Sequence, residues 1–331
     1  MTLPAGIYCP IVSFFEPTLD QQLDIPTHVR HVQFLGRAGV QGVVVQGSTG
    51  EAVALSSEEK KTLIKSAKDA LEEIGSQALV IAGTVGAQST RQAIELSRDA
   101  SQAGADYVLV LPPSFYPAAM NPDSILGFYN ELASASPIPV IVYSYPGVCS
   151  GINMDSDLLI RIAAHPNVHG VKHTDHDVGR MARMVRAREQ LAPFTVLGGA
   201  TDYLLGAAAY GVQGAITGSA NVAPRVCIKV FGLASTGRIE EAKTLALEIS
   251  RAEWALGKGN ILGTKYATVY ANGYPGTAAL CRRPLPVVSD ATRQHVEQEC
   301  SDIIALERQL EKEGYDGRLK SRTNGKTNGH A

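Results

Sequence analysis

The chain is poor in the features that mark secreted, membrane-spanning or nucleic-acid-binding proteins. Its five cysteines, Cys9, Cys149, Cys227, Cys281 and Cys300, are scattered and include no Cys-x-x-Cys pair. That pattern speaks against a disulfide framework and a cysteine zinc site, and it fits a reducing compartment. No apolar stretch approaches the length of a membrane span. The first residues lack a charged region followed by an apolar run, and an Arg-rich amphipathic transit segment is also missing. Together these absences lead to the expectation of a cytoplasmic protein. Lys and Arg number 30 against 32 Asp and Glu, a formal charge of -2, and no basic run interleaved with aromatics precedes the tail. Neither nucleic acid nor a membrane is an expected partner.

What is present is alternation. The chain has 331 residues, 45% of them hydrophobic, enough for a large buried core. Eight short runs rich in Val, Ile and Ala read as strands: 7–14, 42–46, 78–84, 107–112, 139–145, 168–174, 195–199 and 214–218. Between them the periodicity predicts helices over 27–38, 57–74, 90–102, 122–135, 156–164, 178–191 and 202–210. Ser56, with Glu59 three residues on, supplies a capping box for the second helix. Eight such units in about 220 residues suit a closed (β/α)8 barrel better than an open sheet. No Gly-x-Gly-x-x-Gly follows the first strand, which argues against a dinucleotide site.

After Pro224 no further strand is evident, and helical patterns cover 225–235, 239–256, 261–272 and 290–313. The expected organisation is a catalytic barrel over 1–224, a helical extension over 225–315 and a disordered tail over 316–331.

In a barrel of this kind, reactive groups come from the carboxyl ends of the strands. Lys172 lies in the middle of Val168–Thr174, where an ammonium is costly unless paired or put to use. A desolvated amine is a nucleophile suited to imine formation, and a structural ion pair is the alternative. Tyr143 ends the fifth run and can donate and accept a proton through one oxygen, or simply line the barrel. Gly47-Ser48-Thr49-Gly50-Glu51 follows the second run, as a neutral cradle for a carboxylate or as an ordinary turn. The small residues of 215–221 leave room beside the lysine or serve tight packing. His173 and His176 have a His-x-x-His spacing, but strand followed by loop does not put both on one face, so no metal is expected. His176 reads as a surface-loop residue, and His28 and His31 as lying near a polar helix face.

Gly-Ser-Thr-Gly-Glu after strand two, Tyr-x-x-Pro ending strand five, Gly-Val-Lys on strand six and Gly-x-Ile-x-Gly-x-Ala-Asn at strand eight occur in that order. The chain thereby resembles the dihydrodipicolinate synthase and N-acetylneuraminate lyase family of class I aldolases over nearly its whole length. The resemblance implies a (β/α)8 barrel with a C-terminal helical extension, assembled as a homo-oligomer, dimer or tetramer. It implies a Schiff base between Lys172 and C2 of an α-keto acid, with Tyr143 as acid/base and Ser48 and Thr49 holding the substrate carboxylate and passing protons. Gly47 and the backbone carbonyl of Ile216 join that site, and no cofactor beyond the covalent imine is implied.

The synthase branch carries an arginine shortly after Tyr-x-x-Pro, where this chain has Gly147-Val148-Cys149-Ser150-Gly151. The segment is more similar to the fungal branch of 4-hydroxy-2-oxoglutarate and 2-keto-3-deoxy sugar acid aldolases. Val148 and His173 are therefore expected to contact the part of the substrate beyond the keto acid. A synthase-like condensing enzyme, a keto-acid dehydratase and a catalytically silent keto-acid-binding barrel are the alternatives. The tyrosine contributed across the dimer in the synthases falls at Phe115 or Tyr116.

Overall fold

The computed structural model describes residues 2–317. Eight parallel strands close on themselves in chain order: β1 (Gly6–Pro10), β2 (Gly42–Val45), β3 (Leu79–Gly83), β4 (Tyr107–Val110), β5 (Val140–Ser144), β6 (Val168–His173), β7 (Thr195–Gly198) and β8 (Gly214–Ile216). All eight lie within the runs expected to be strands, apart from one added residue at the start of β1. Closure runs through β1 and β8, with Gly6 opposite Gly214. Both have positive φ, and a Cβ on Gly214 would sit 1.9 Å from the Gly6 carbonyl oxygen, so only glycine fits that seam.

The helices of the ring are α1 (Ile25–Ala38), α2 (Ser57–Glu73), α3 (Thr90–Gln102), α4 (Pro122–Ala135), α5 (Ser156–Ala163), α6 (Val178–Ala187), α7 (Leu204–Ala208) and α8 (Pro224–Ser235). The Ser56–Glu59 capping box starts α2 as expected. Helix α8, read from sequence as the start of the extension, instead packs on β1, α1 and α7 and so completes the ring. Two long helices follow, α9 (Ile239–Asn272) and α10 (Asp290–Lys312). The two helices expected from sequence over 239–256 and 261–272 are borne out, because α9 consists of two helices that meet at a kink. Asn260 alone leaves helical geometry, with φ 51 and ψ -147, and its Oδ1 accepts the Ile261 N–H at 2.8 Å. Of the expected tail, 318–331 lies outside the described residues. The backbone of Asp316 and Gly317 packs against Gly39.

Strand alternation splits the core in two. Tyr8, Val44, Ile81, Leu109, Ile141, Tyr143, Leu197 and Ile216 cluster inside the barrel. Their neighbours, such as Ile7, Val43, Val80, Val108 and Val171, pack outward beneath the helices.

The reading of His28 and His31 as near a polar face is corrected, since both are buried on the inner side of α1. His28 Nε2 meets the Leu63 carbonyl oxygen at 3.2 Å. His31 bridges Tyr274 Oη and Asn221 Oδ1, each at 3.0 Å. Burial lowers both imidazoles to about 4.

Candidate active site

Tyr143 and Lys172 are register partners on β5 and β6, so both side chains point into the barrel. The Lys172 Nζ lies 4.1 Å from the centre of the Tyr143 ring. Lys172 is 4% exposed, and among the described residues no carboxylate comes within ion-pair distance of it. Desolvation pulls its pKa from 10.5 down to about 7, against the charge of Glu253, which raises it. A sizeable fraction of the amine is therefore neutral and nucleophilic at neutral pH.

The turn after β2 is held in a strained form. Gln46 and Glu51 at its two ends have φ of 52 and 56. The Gly47 carbonyl accepts the Gly50 N–H at 3.0 Å, and Ser13 Oγ donates to the Gly50 carbonyl at 2.7 Å. Glu51 anchors the turn from below: Lys265 Nζ of α9 donates to its Oε1 and the Arg282 N–H to its Oε2, both at 2.8 Å. The turn thus presents Ser48 and Thr49 to the cavity, while Gly47 shapes it without joining the wall.

Burial pushes the Tyr143 phenol up to about 12, and the Ser48 and Thr174 hydroxyls pull the other way. These two hydroxyls lie near the phenol yet make no hydrogen bond of ordinary geometry, and both oxygens are buried. Buried polar atoms in that state are ready to meet a ligand.

The cavity has a volume of about 970 Å³ and reaches from Ser48 and Thr49 past Tyr143 and Lys172 to Ile216. Val148, at the end of a single turn over Pro146–Val148, also lines it, whereas Cys149 is buried beside Pro112. His173 does not join this wall. It alternates with Lys172 and so points outward, where its Nδ1 meets Asp175 Oδ2 at 3.0 Å and it is fully buried. Against the burial that would raise it, Asp175 is held at about 2 by His173, Ser144 and the Asp177 N–H. Thr174 and the exposed His176 line the cavity instead, His176 packing edge-on against Tyr203 at 5.3 Å. The two histidines therefore face different partners. Phe115 and Tyr116 are 73% and 71% exposed and stand outside the cavity wall.

Among the wall residues that escaped the sequence reading are Thr174, Asp202 and Glu253. For Glu253 a signal existed. Ile249, Glu253 and Leu256 share one face of α9, and an acid on a buried apolar stripe needs a reason.

A closed parallel barrel with a desolvated amine, a neighbouring phenol and a hydroxyl-bearing turn on one cavity defines a class of lysine-bearing barrel proteins. The chain belongs within it to the dihydrodipicolinate synthetase family, whose model matches residues 3–303. Among its relatives is a protein of Emericella nidulans named probable 4-hydroxy-2-oxoglutarate aldolase, mitochondrial. The two are 39% identical over 311 residues, covering 93% of this chain and 98% of the relative. The L-threo-3-deoxy-hexylosonate aldolase of Hypocrea jecorina is 40% identical over 315 residues, covering 93% and 99%. A solved structure of a dihydrodipicolinate synthase family protein from Coccidioides immitis superposes with a TM-score of 0.82 at 36% identity, covering 93% and 98%.

The expectation of a cytoplasmic protein is overturned by the first of these names, which points to the mitochondrion. That expectation rested on signals that were missing, and a missing signal is a weak physical argument.

Proposed function

We propose that the protein is a class I aldolase. It cleaves a 2-keto-3-deoxy sugar acid or 4-hydroxy-2-oxoglutarate into pyruvate and an aldehyde, or runs the reverse condensation. The observation that carries this reading is the Lys172 amine, buried without an ion pair 4.1 Å from the Tyr143 ring centre, on a cavity that Ser48 and Thr49 also line. The names of the relatives, both aldolases of such keto acids, support it.

Neutral Lys172 attacks the C2 carbonyl, and Tyr143 gives its phenolic proton to the departing hydroxyl, so that loss of water leaves a protonated imine and a phenolate. The substrate carboxylate rests on the Ser48–Thr49 turn. Tyr143 takes the proton of the C4 hydroxyl while the electron pair of the C3–C4 bond moves into the imine, giving an enamine and releasing the aldehyde. Protonation at C3 and hydrolysis of the imine release pyruvate and restore the amine. The covalent imine is the electron sink, so the reading requires no cofactor.

Borohydride added with pyruvate should reduce the imine to a stable adduct on the parent protein, detected by mass, and leave Lys172→Ala unmodified. Equal trapping of both would sink the assignment. Tyr143→Phe should lower kcat about 10²- to 10⁴-fold, the usual worth of a general acid/base, and still be trapped. A barrel that only binds keto acids would release pyruvate from none of them.

The assembly proposed with this activity is a homo-oligomer. Phe115 and Tyr116, exposed and packed edge-on at 4.9 Å, make an apolar knob of the kind a second copy covers. Sedimentation at equilibrium tests it, and a monomer at micromolar concentration would refute it.

A further inference from the structure

Glu253 lies on the inner face of α9, half-buried in the cavity wall above the carboxyl ends of β7 and β8. Its Oε2 accepts the Thr201 N–H at 2.6 Å, and its Oε1 accepts the Thr217 hydroxyl at 3.1 Å. The Thr201 hydroxyl donates in turn to Thr217 Oγ1 at 2.7 Å, so the proton order of this chain is set and Glu253 ends it as an acceptor. Among the described residues no Lys, Arg or His lies within ion-pair distance of the carboxylate. Oε1 keeps room for a further donor.

The same wall carries Asp202, whose Oδ1 is buried without a partner. Neither of the cavity's arginines forms an ion pair with these acids. Arg282 spends its guanidinium on Glu59 and on the Ala54 and Gln21 carbonyls. Arg283 is exposed at the rim, donating to the Leu19 carbonyl. The part of the wall that Glu253 and Asp202 form therefore offers buried or half-buried acceptors. A hydroxyl fits such a wall, and a second carboxylate is repelled by it.

We propose that Glu253 determines substrate specificity. It accepts a hydrogen bond from a hydroxyl of the substrate's tail and excludes a distal carboxylate, so the substrate is a 2-keto-3-deoxy sugar acid rather than 4-hydroxy-2-oxoglutarate. The inference rests on the aldolase reading and narrows it. It has a pH signature, because burial, with Asp202 adding to it, raises the Glu253 carboxyl to about 7. Above that pH the wall is anionic and discriminates. Below it Glu253 is protonated, and discrimination weakens.

The charged and titratable groups facing Glu253 are Lys172 from β6, Asp202 and Tyr203 from the loop after β7, and Cys227 from α8. Lys172 titrates in the same range, but it acts on either substrate alike and cancels in a ratio.

The test is the ratio of kcat/KM for pyruvate release from a six-carbon 2-keto-3-deoxy sugar acid and from 4-hydroxy-2-oxoglutarate, on both sides of pH 7. The expected ratio favours the sugar acid by at least about tenfold above pH 7 and shrinks below it. Glu253→Gln, which keeps an oxygen for the Thr201 N–H, should bring the ratio down about tenfold and make it independent of pH. A merely structural role would lower both substrates in parallel, and that result, or a parent ratio that does not move with pH, overturns the inference. The parent's pH dependence requires no variant to fold. Borohydride trapping with pyruvate runs alongside. An adduct with a flat ratio refutes the role of Glu253 alone, and no adduct refutes the aldolase reading as well.

Discussion

At the scale of single residues, the feature that suits Lys172 to chemistry also works against stability. Its ordinary pKa of 10.5 falls to about 7 in the barrel, chiefly through desolvation. Above 10.5 the amine is neutral folded or unfolded and has no effect. As pH falls from there to 7, the unfolded chain binds a proton that the folded chain does not, and stability is lost; below 7 the loss is complete. At pH 7 the cost is on the order of a few kcal/mol. Lys172→Met should therefore raise the melting temperature at neutral pH while abolishing imine trapping, and the gain should shrink as pH approaches 10.5. A variant less stable than the parent at pH 7 would show that the amine has a favourable partner.

Among structural elements, the turn after β2 depends on a helix more than two hundred residues away in sequence. The Glu51–Lys265 pair joins positions 214 apart, with both side chains almost fully buried. Removing one partner of such a pair leaves an uncompensated buried charge, at about 3–5 kcal/mol. Lys265→Met should lose stability on that scale and raise KM for pyruvate more than it lowers kcat, because the Ser48–Thr49 turn loses its anchor. Lys265→Met with Glu51→Gln should recover much of the stability, since no charge is then left unpaired. Chemical denaturation of both variants measures it, and a double variant no better than the single would place the loss elsewhere.

The same pair marks the limit of what the sequence discloses. The strands were legible because short continuous apolar runs bounded by turns are local signals, and the backbone alternation that aims Lys172 inward is equally local. Alternation also sends His173 outward, a step the sequence reading did not take. Glu51–Lys265, the burial of His28 and His31, and the reach of Glu253 into the cavity depend on how α1 and α9 pack. Helix α8 was read into the extension because its pattern does not say which strand it covers. What remained unread is tertiary contact rather than local propensity.

For the whole molecule, the outward core is one body. Val226 and Val230 of α8, Ile249 and Leu256 of α9, and Val296 and Ile303 of α10 belong to the same buried cluster as the outward residues of β1 to β7. Arg225 and Glu307 tie α8 to α10 through a buried ion pair at 2.9 Å. Barrel and trailing helices should therefore unfold together, in one calorimetric transition. Its midpoint should also fall in acid, for a reason that can be traced. His28 and His31 have ordinary pKa values of 6.5 and folded values of about 4, lowered by burial. Between those values the unfolded chain takes up protons that the folded chain refuses, so stability falls as pH drops from about 6.5 to about 4, by up to about 3 kcal/mol for each histidine. Glu253 and Glu307, whose pKa values burial raises, act in the opposite sense as pH falls. His28→Leu removes one contribution without touching the cavity and should flatten the acid limb of melting temperature against pH. An unchanged limb in that variant, or two separate transitions in the parent, would mean that α1 and the trailing helices do not share one cooperative core.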